Sequence, residues 1–212
     1  MKKKVDITKI VEILENHYTE KHVMESNYEG SPYKSLVACI LSLRNLDEVT
    51  FPIADRLFEV ADTPQKIINL GVQKLQEYTK SINYYKTKAE NIMLLSQQII
   101  DDYNGEVPET IDELMKFRGV GRKTANITIS VGFQRPAVAV DTHVHKIANR
   151  LGYVSTETPD ETEMVLRKKL PQKYWRKINQ LFVIHGKTIC KTRGVKCNIC
   201  PIIDYCNQIG VK

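Results

Sequence analysis

The chain has 212 residues, 42% hydrophobic and 26% charged, a composition that supports a proper core and excludes wholesale disorder. Lysine and arginine exceed the acids by 31 to 25, and the resulting net charge of +6 suits an anionic partner such as nucleic acid, although a solvated basic surface is the simpler alternative. No apolar segment follows Met1-Lys2-Lys3-Lys4, the run from Leu36 to Leu43 is too short to span a bilayer, and five cysteines suit no disulfide framework, so a reduced, cytoplasmic protein with no membrane segment is expected.

Helical spacing dominates the chain in order. Ile7, Ile10, Val11 and Leu14 share one face behind Asp6, an N-cap. Ser31-Pro32 reads as a cap and N1 proline opening a buried helix through Leu43, and Thr63-Pro64 repeats that signature up to Gly71. A long amphipathic helix spans Tyr85 to Tyr103 and stops at Asn104-Gly105. Further helices are expected at 110–117, 121–132, 141–151, 159–170 and 173–188. Only Ala137-Val138-Ala139-Val140 looks extended, and it is too short to found a sheet. The fold class is therefore all-α. With no Ser/Gly-rich linker, any division must be two helical layers sharing the chain.

The stretch from Leu114 to Asn126 holds Gly119 and Gly121 around Val120, between two expected helices. Each glycine can take positive φ, giving a tight turn that exposes backbone N–H groups at the start of the next helix, where phosphate binds well. Lys116, Arg118, Arg122 and Lys123 add positive charge with no acid between them. A plain αα-hairpin with a solvated basic face would need less. The coincidence of glycines, cations and the small residues Thr124 and Ala125 favours a hairpin that grips a DNA backbone. Lys123 falls in the first turn of the second helix, where the helix dipole and neighbouring cations disfavour its charge. A lysine neutral part of the time can form a Schiff base, although alone it would be one more phosphate contact.

Asp141 follows the extended Val138-Ala139-Val140 and opens the next helix. As an N-cap it needs no further role. As a carboxylate 18 residues after Lys123, it suits glycosidic-bond chemistry, in which a cationic sugar needs a nearby anion. His143 and His145 stand at i, i+2 and point to different faces, so they make poor joint metal ligands.

Cys190, Cys197, Cys200 and Cys206 form a Cys-x6-Cys-x2-Cys-x5-Cys array near the end of the chain, while Cys39 stands alone in an apolar run. Four clustered thiolates suit either a tetrahedral zinc or a cubane iron–sulfur cluster, and the spacing leaves both open. Between the first two lie Lys191, Arg193 and Lys196, a basic loop that ligands at both ends would hold toward phosphates.

Phe117-Arg118-Gly119-Val120-Gly121-Arg122-Lys123-Thr124-Ala125-Asn126, Val140-Asp141-Thr142-His143-Val144 and the cysteine array together resemble the endonuclease III family of DNA repair glycosylases. Lys88-Ala89-Glu90-Asn91-Ile92 and Asn104-Gly105-Glu106-Val107-Pro108 are similar too, so the likeness covers roughly residues 25 to 206. It implies a helix-hairpin-helix DNA glycosylase fold, with a six-helix domain at 25–135 and an iron–sulfur cluster domain from 1–24 and 136–212. It also implies a bifunctional glycosylase and abasic-site lyase that removes oxidised pyrimidines. In that chemistry Lys123 attacks C1′, and Asp141 activates the lysine or stabilises the sugar cation.

By the same resemblance the four terminal cysteines hold a [4Fe–4S] cluster. DNA contacts fall to Gly119, Val120, Gly121, Arg122 and Thr124, to Arg44 and Tyr84, and to Lys191, Arg193 and Lys196. The partner is duplex DNA carrying damaged bases or abasic sites, bound by a monomer associated with the nucleoid. Two positions depart from the family pattern. Arg44 stands where glutamine commonly fills the space left by a flipped base, and Tyr84, in Ile82-Asn83-Tyr84-Tyr85, stands for the leucine of a Gly-Leu-Tyr wedge. Mismatch-specific relatives lack a lysine at the position of Lys123, which argues against that alternative. A non-catalytic DNA binder or an iron–sulfur electron carrier is the competing reading outside enzymes.

Overall fold

A computed structural model of the protein describes residues 3–211. Among these the α-helices are α1 (Ile7–His17), α2 (Val23–Tyr28), α3 (Pro32–Ser42), α4 (Asp47–Val60), α5 (Pro64–Leu70), α6 (Val72–Thr79), α7 (Tyr85–Tyr103), α8 (Ile111–Leu114), α9 (Arg122–Ile127), α10 (Thr142–Leu151), α11 (Pro159–Lys169) and α12 (Trp175–Thr188). The described residues contain no β-strand, so the all-α expectation holds. No helix among them is long and apolar enough to cross a membrane.

The chain divides into two compact units. One is Val23–Arg135, and the other combines the segment up to His22 with that from Pro136 onward. In the first, α3 has no polar face: Leu36, Val37, Ala38, Cys39, Ile40 and Leu41 are all at most 1% exposed. Such a helix is buried on every side, and α3 packs against α2, α4, α7 and α9. Each fully buried leucine or isoleucine contributes about 1.5–3 kcal/mol relative to exposure. The expected helix at 121–132 is α only through Ile127 and then widens into a π turn, Thr128–Gly132. A Cβ on Gly132 would meet the Cα of Pro32 at 2.6 Å, so glycine is what lets this turn lie against the start of α3.

Three helices of this unit escape the sequence reading. α2 is only six residues long. α4 carries Pro52 in its interior and has no side-chain cap at Leu46, so it offers a breaker and no start signal. α6 begins directly behind Gly71, which stops α5 and N-caps α6 at once. Ser31 also differs from expectation. Pro32 is the first helical residue, but the Ser31 hydroxyl makes no capping bond.

In the second unit, Ile10, Val11 and Leu14 of α1 pack with Val144, Ile147 and Leu151 of α10, Leu166 of α11, and Ile178 and Phe182 of α12. Caps fix the helix starts. Asp6 accepts from the backbone N–H of Thr8 and Lys9, and Thr158 accepts from Glu161 while Glu161 reaches back to Glu157 N at 2.9 Å. Val138 and Val140 lie in this core outside any helix or strand. Asn179 Nδ2 donates to Ala139 O at 3.1 Å, so one side chain takes the place of a ladder bond.

Candidate functional site

The hairpin between α8 and α9 is closed by its own backbone. Thr110 caps α8 by accepting from Glu113 N, Phe117 N donates to Leu114 O at 3.2 Å, and Val120 N donates to Phe117 O at 3.1 Å. Phe117 and Val120 are buried, while Arg118, Gly119 and Gly121 face solvent. Gly119 has φ +84, where a Cβ would also sit 2.6 Å from Asn91 Nδ2. Gly121 does not share that conformation. At φ −99 it is extended and N-caps α9, so the turn needs one left-handed glycine and not two. Lys116 pairs with Glu113 at 2.7 Å, which offsets one of the four hairpin cations.

Arg122 and Lys123 are half-buried in the first turn of α9, and Thr124 is buried. Lys123 Nζ donates to Cys39 Sγ at 3.4 Å, and the Cys39 thiol in turn donates to Thr124 Oγ1 at 3.5 Å. Cys39 is 0% exposed, at the centre of α3. The thiol thus joins the lysine environment, a role no sequence signal marks across 84 positions.

Arg44 and Tyr84 are both exposed, and both hold left-handed backbone conformations, at φ +54 and +59. Three residues around them were not singled out from the sequence. Asn83 Nδ2 donates to Arg44 O at 3.0 Å. Lys88, 6% exposed, donates from Nζ to Leu41 O at 2.8 Å and Leu43 O at 2.6 Å, and burial lowers its pKa to about 8. Leu46, 68% exposed, is a large apolar side chain in the same loop.

Asp141 belongs to the other unit and is half-buried. Its Oδ1 accepts from His143 N at 2.9 Å and Val144 N at 2.8 Å. The capping role is therefore real, and both bonds go to one carboxylate oxygen. His145 turns away to Thr162, with Nδ1 at 2.7 Å from the hydroxyl oxygen.

Cys190, Cys197, Cys200 and Cys206 are unbridged, half-buried, and line one cavity with Arg150, His185 and Ile202. Among the described residues no three His, Cys, Asp or Glu side chains gather closely enough to hold a single metal ion. Burial pushes the Cys200 thiol up to about 11, and Cys206 is raised by burial with further repulsion from Cys190 and Cys197. Cys200 and Cys206 resist ionising alone and need a cationic centre to become thiolates, and the all-sulfur donor set of the four cysteines suits iron or zinc.

Donors already face these sulfurs. Arg150 Nη1 lies 3.3 Å from Cys190 Sγ, and Gln208 N lies 3.3 Å from Cys206 Sγ. His185 sits with Nδ1 at 2.9 Å from Tyr18 Oη and Nε2 at 3.6 Å from Cys200 Sγ, and burial, then His17, lowers its pKa to about 4. Lys191, Arg193 and Lys196 are exposed on the loop between the first two cysteines. Arg150 Nη1 donates to Lys191 O at 2.8 Å, and Lys146 Nζ donates to Thr192 Oγ1 at 3.1 Å, so that loop has anchors beyond its cysteines.

Residues 37–172 match the HhH-GPD superfamily of base excision DNA repair proteins. The chain is 43% identical to endonuclease III of Thermotoga maritima over 88% of its length and 87% of the relative's. It is 38% identical to that of Bacillus subtilis, over 84% and 82%. Among solved structures it superposes on endonuclease III in a non-covalent DNA complex and in a trapped covalent DNA intermediate. Each gives a TM-score of 0.85 at 35% identity, covering 95% of this chain and 94% of the other. A thermostable thymine-DNA glycosylase has the same TM-score at 21% identity, a likeness of fold alone. With such similarity over most of its length, the chain belongs to the endonuclease III family of the HhH-GPD superfamily.

Proposed function

We propose that this protein is a base-excision-repair DNA glycosylase and abasic-site lyase that removes oxidised pyrimidines from duplex DNA. The observation that carries the reading is Lys123, placed in the first turn of α9 behind the Gly119–Gly121 hairpin with its Nζ held at Cys39 Sγ. A phosphate-binding turn is followed at once by a half-buried amine, as a lysine nucleophile brought to a sugar carbon requires.

In this reading the damaged nucleotide leaves the stack, because a base inside a duplex cannot be reached. Neutral Lys123 Nζ attacks C1′, the C1′–N bond breaks, and the electron pair leaves with the base, which takes a proton. Ring opening gives a Schiff base between Nζ and C1′. Loss of a C2′ proton then expels the 3′ phosphate by β-elimination. Asp141, already fixed by two N–H donors on one oxygen, is the carboxylate that stabilises the sugar cation or accepts the lysine proton.

The hairpin backbone at Gly119, Val120 and Gly121, with Arg122, holds the phosphates, whereas Thr124, 2% exposed and accepting from Cys39, packs inside and is not the DNA contact expected of it. Arg44 and Tyr84 occupy the gap and the stack, and Lys191, Arg193 and Lys196 add a second grip. A [4Fe–4S] cluster held by Cys190, Cys197, Cys200 and Cys206 would bind the four thiolates and fix that loop. The protein acts as a monomer with two functional units, a helix-hairpin-helix domain over 25–135 and a cluster domain from the chain ends.

The test is borohydride trapping on duplexes carrying one oxidised pyrimidine. A covalent adduct with the wild-type protein that disappears in Lys123→Ala is the expected result. An undiminished adduct in Lys123→Ala would remove Lys123 as the nucleophile. Duplex binding without any strand cleavage at abasic sites would leave a non-catalytic DNA binder.

A further inference from the structure

Within the Val23–Arg135 unit, the two positions where the sequence departs from its family pattern share a structural peculiarity. Arg44 and Tyr84 are non-glycine residues with φ of +54 and +59, and both side chains face solvent. Residues stay in the left-handed region only where their surroundings over-determine it. The Arg44 segment is bound by side chains on either side of Tyr84.

Asn83, immediately before Tyr84, donates from Nδ2 to the carbonyl of Arg44 at 3.0 Å. Lys88 N donates to Tyr84 O at 3.0 Å, while the same residue's Nζ holds Leu41 O and Leu43 O. Three carbonyls at the end of α3 and just beyond it are therefore bound by side chains just before α7 and in its first turn. Asn83 is itself exposed and contributes nothing to the apolar core. In the family's Gly-Leu-Tyr pattern the residue at its position is glycine, which has no side chain to donate.

We propose that Asn83 is a positioning residue that couples Arg44 to Tyr84, so that the plug and the wedge meet the base opposite the lesion as one preset unit and jointly set which opposite base is accepted. The inference rests on the reading of Arg44 and Tyr84 as DNA-probing residues. Its physical basis is the cost of ordering. A guanidinium on a four-torsion stem discriminates between base edges only when its backbone origin is fixed, and the Asn83 bond fixes that origin relative to the neighbouring aromatic ring. Breaking the bond should leave the fold intact, because water replaces the amide at an exposed carbonyl. It should blur discrimination.

The experiment measures single-turnover strand cleavage by the full chain on duplexes with one oxidised pyrimidine opposite each of the four bases. The variants are Asn83→Gly, Asn83→Asp, Arg44→Ala, Tyr84→Ala and the double variant Asn83→Gly/Arg44→Ala. Asn83→Asp keeps the shape but cannot donate. Both Asn83 variants should shift the guanine-to-adenine rate ratio at least roughly threefold toward unity, beyond ordinary additivity scatter. Their melting temperature should not change, and the shift should vanish in the Arg44→Ala background. An unchanged ratio in both Asn83 variants, or independent multiplication of the Asn83 and Arg44 effects, would overturn the coupling. If Arg44→Ala and Tyr84→Ala themselves leave the ratio untouched, the probe reading of those residues fails instead. If the wild type cleaves nothing, the enzymatic reading fails.

Discussion

In the hairpin before α9, backbone turns rest on buried apolar anchors, whereas the tail from Cys190 to Cys206 closes its backbone turns around a cavity lined by four sulfurs. The hairpin has buried anchors at Phe117 and Val120 and one left-handed glycine. The tail holds two three-residue helical turns, Cys197–Ile199 and Ile203–Tyr205, joined by a turn at Cys200–Ile203, and one buried apolar residue, Ile202. Backbone bonds close it, among them Lys196 N to Ile189 O at 3.1 Å and Cys206 N to Ile203 O at 3.2 Å, and Arg150 and Lys146 tie its loop beside a cavity lined by the four sulfurs. In the proposed reading, the reacting amine follows a turn packed on apolar side chains, while the second grip on DNA borders a cavity that a bound cluster would fill.

The largest effect of a substitution falls on the hairpin. Lys123→Ala should lower single-turnover β-elimination by on the order of 10⁴-fold, with duplex affinity and melting temperature nearly unchanged. Asp141→Asn comes next. Asparagine caps a helix as well as aspartate, so α10 should keep its stability while the glycosylase rate falls by about 10²–10³-fold, measured at saturating enzyme. A rate unchanged in that variant would reduce Asp141 to a cap.

Cys200→Ser attacks the tail. It should lower iron and sulfide content, destabilise the unit formed by the chain ends by at least about 3 kcal/mol, and flatten the salt dependence of duplex binding by about 2–3 in log–log slope as three cations lose their geometry. Adduct formed per bound complex should survive. If trapping collapses while affinity stays, the division of labour between the two regions is wrong.

Much of this was legible in the sequence, for identifiable reasons. Glycine, proline and the capping side chains at Asp6, Asp141 and Thr158 act locally, so the helices they start could be placed without tertiary information. The hairpin was legible because glycines and cations fall within one short stretch. α4 was not, because Pro52 sits where buried Phe51, Ala54 and Leu57 override it. Nor could the sequence show that α9 widens into a π turn, since that registers the approach of Gly132 to Pro32, far away in the chain. The positive φ of Arg44 and Tyr84 carries no residue signature, and Cys39 meets Lys123 only through the packing of α3 on α9. Local backbone chemistry was readable, and contacts made by packing were not.

A smaller effect tests the hairpin turn itself. Gly119→Ala forces a Cβ into φ +84 and to within 2.6 Å of Asn91 Nδ2. The strain should cost about 1–2 kcal/mol, seen in chemical denaturation. It should also weaken duplex binding several-fold without changing iron content.

The smallest effect concerns Lys88, which binds carbonyls at the end of α3. Burial lowers its pKa from 10.5 to about 8, while its Nζ donates to two carbonyls that have to be satisfied. A neutral amine still carries two N–H donors, so deprotonation relieves the buried charge and keeps both bonds. Below pH 8 both the folded and the unfolded protein bind this proton. Between about 8 and 10.5 the unfolded chain binds it and the folded chain does not, so the Lys88 contribution to stability rises with pH through that window, by on the order of 1 kcal/mol. Tyrosines and other lysines titrate there too, which makes Lys88→Met the necessary reference. The wild-type-minus-variant difference in unfolding free energy should grow from pH 8 to 10.5. A difference that shrinks would mean that the two carbonyls bind the charged ammonium strongly enough to outweigh its burial.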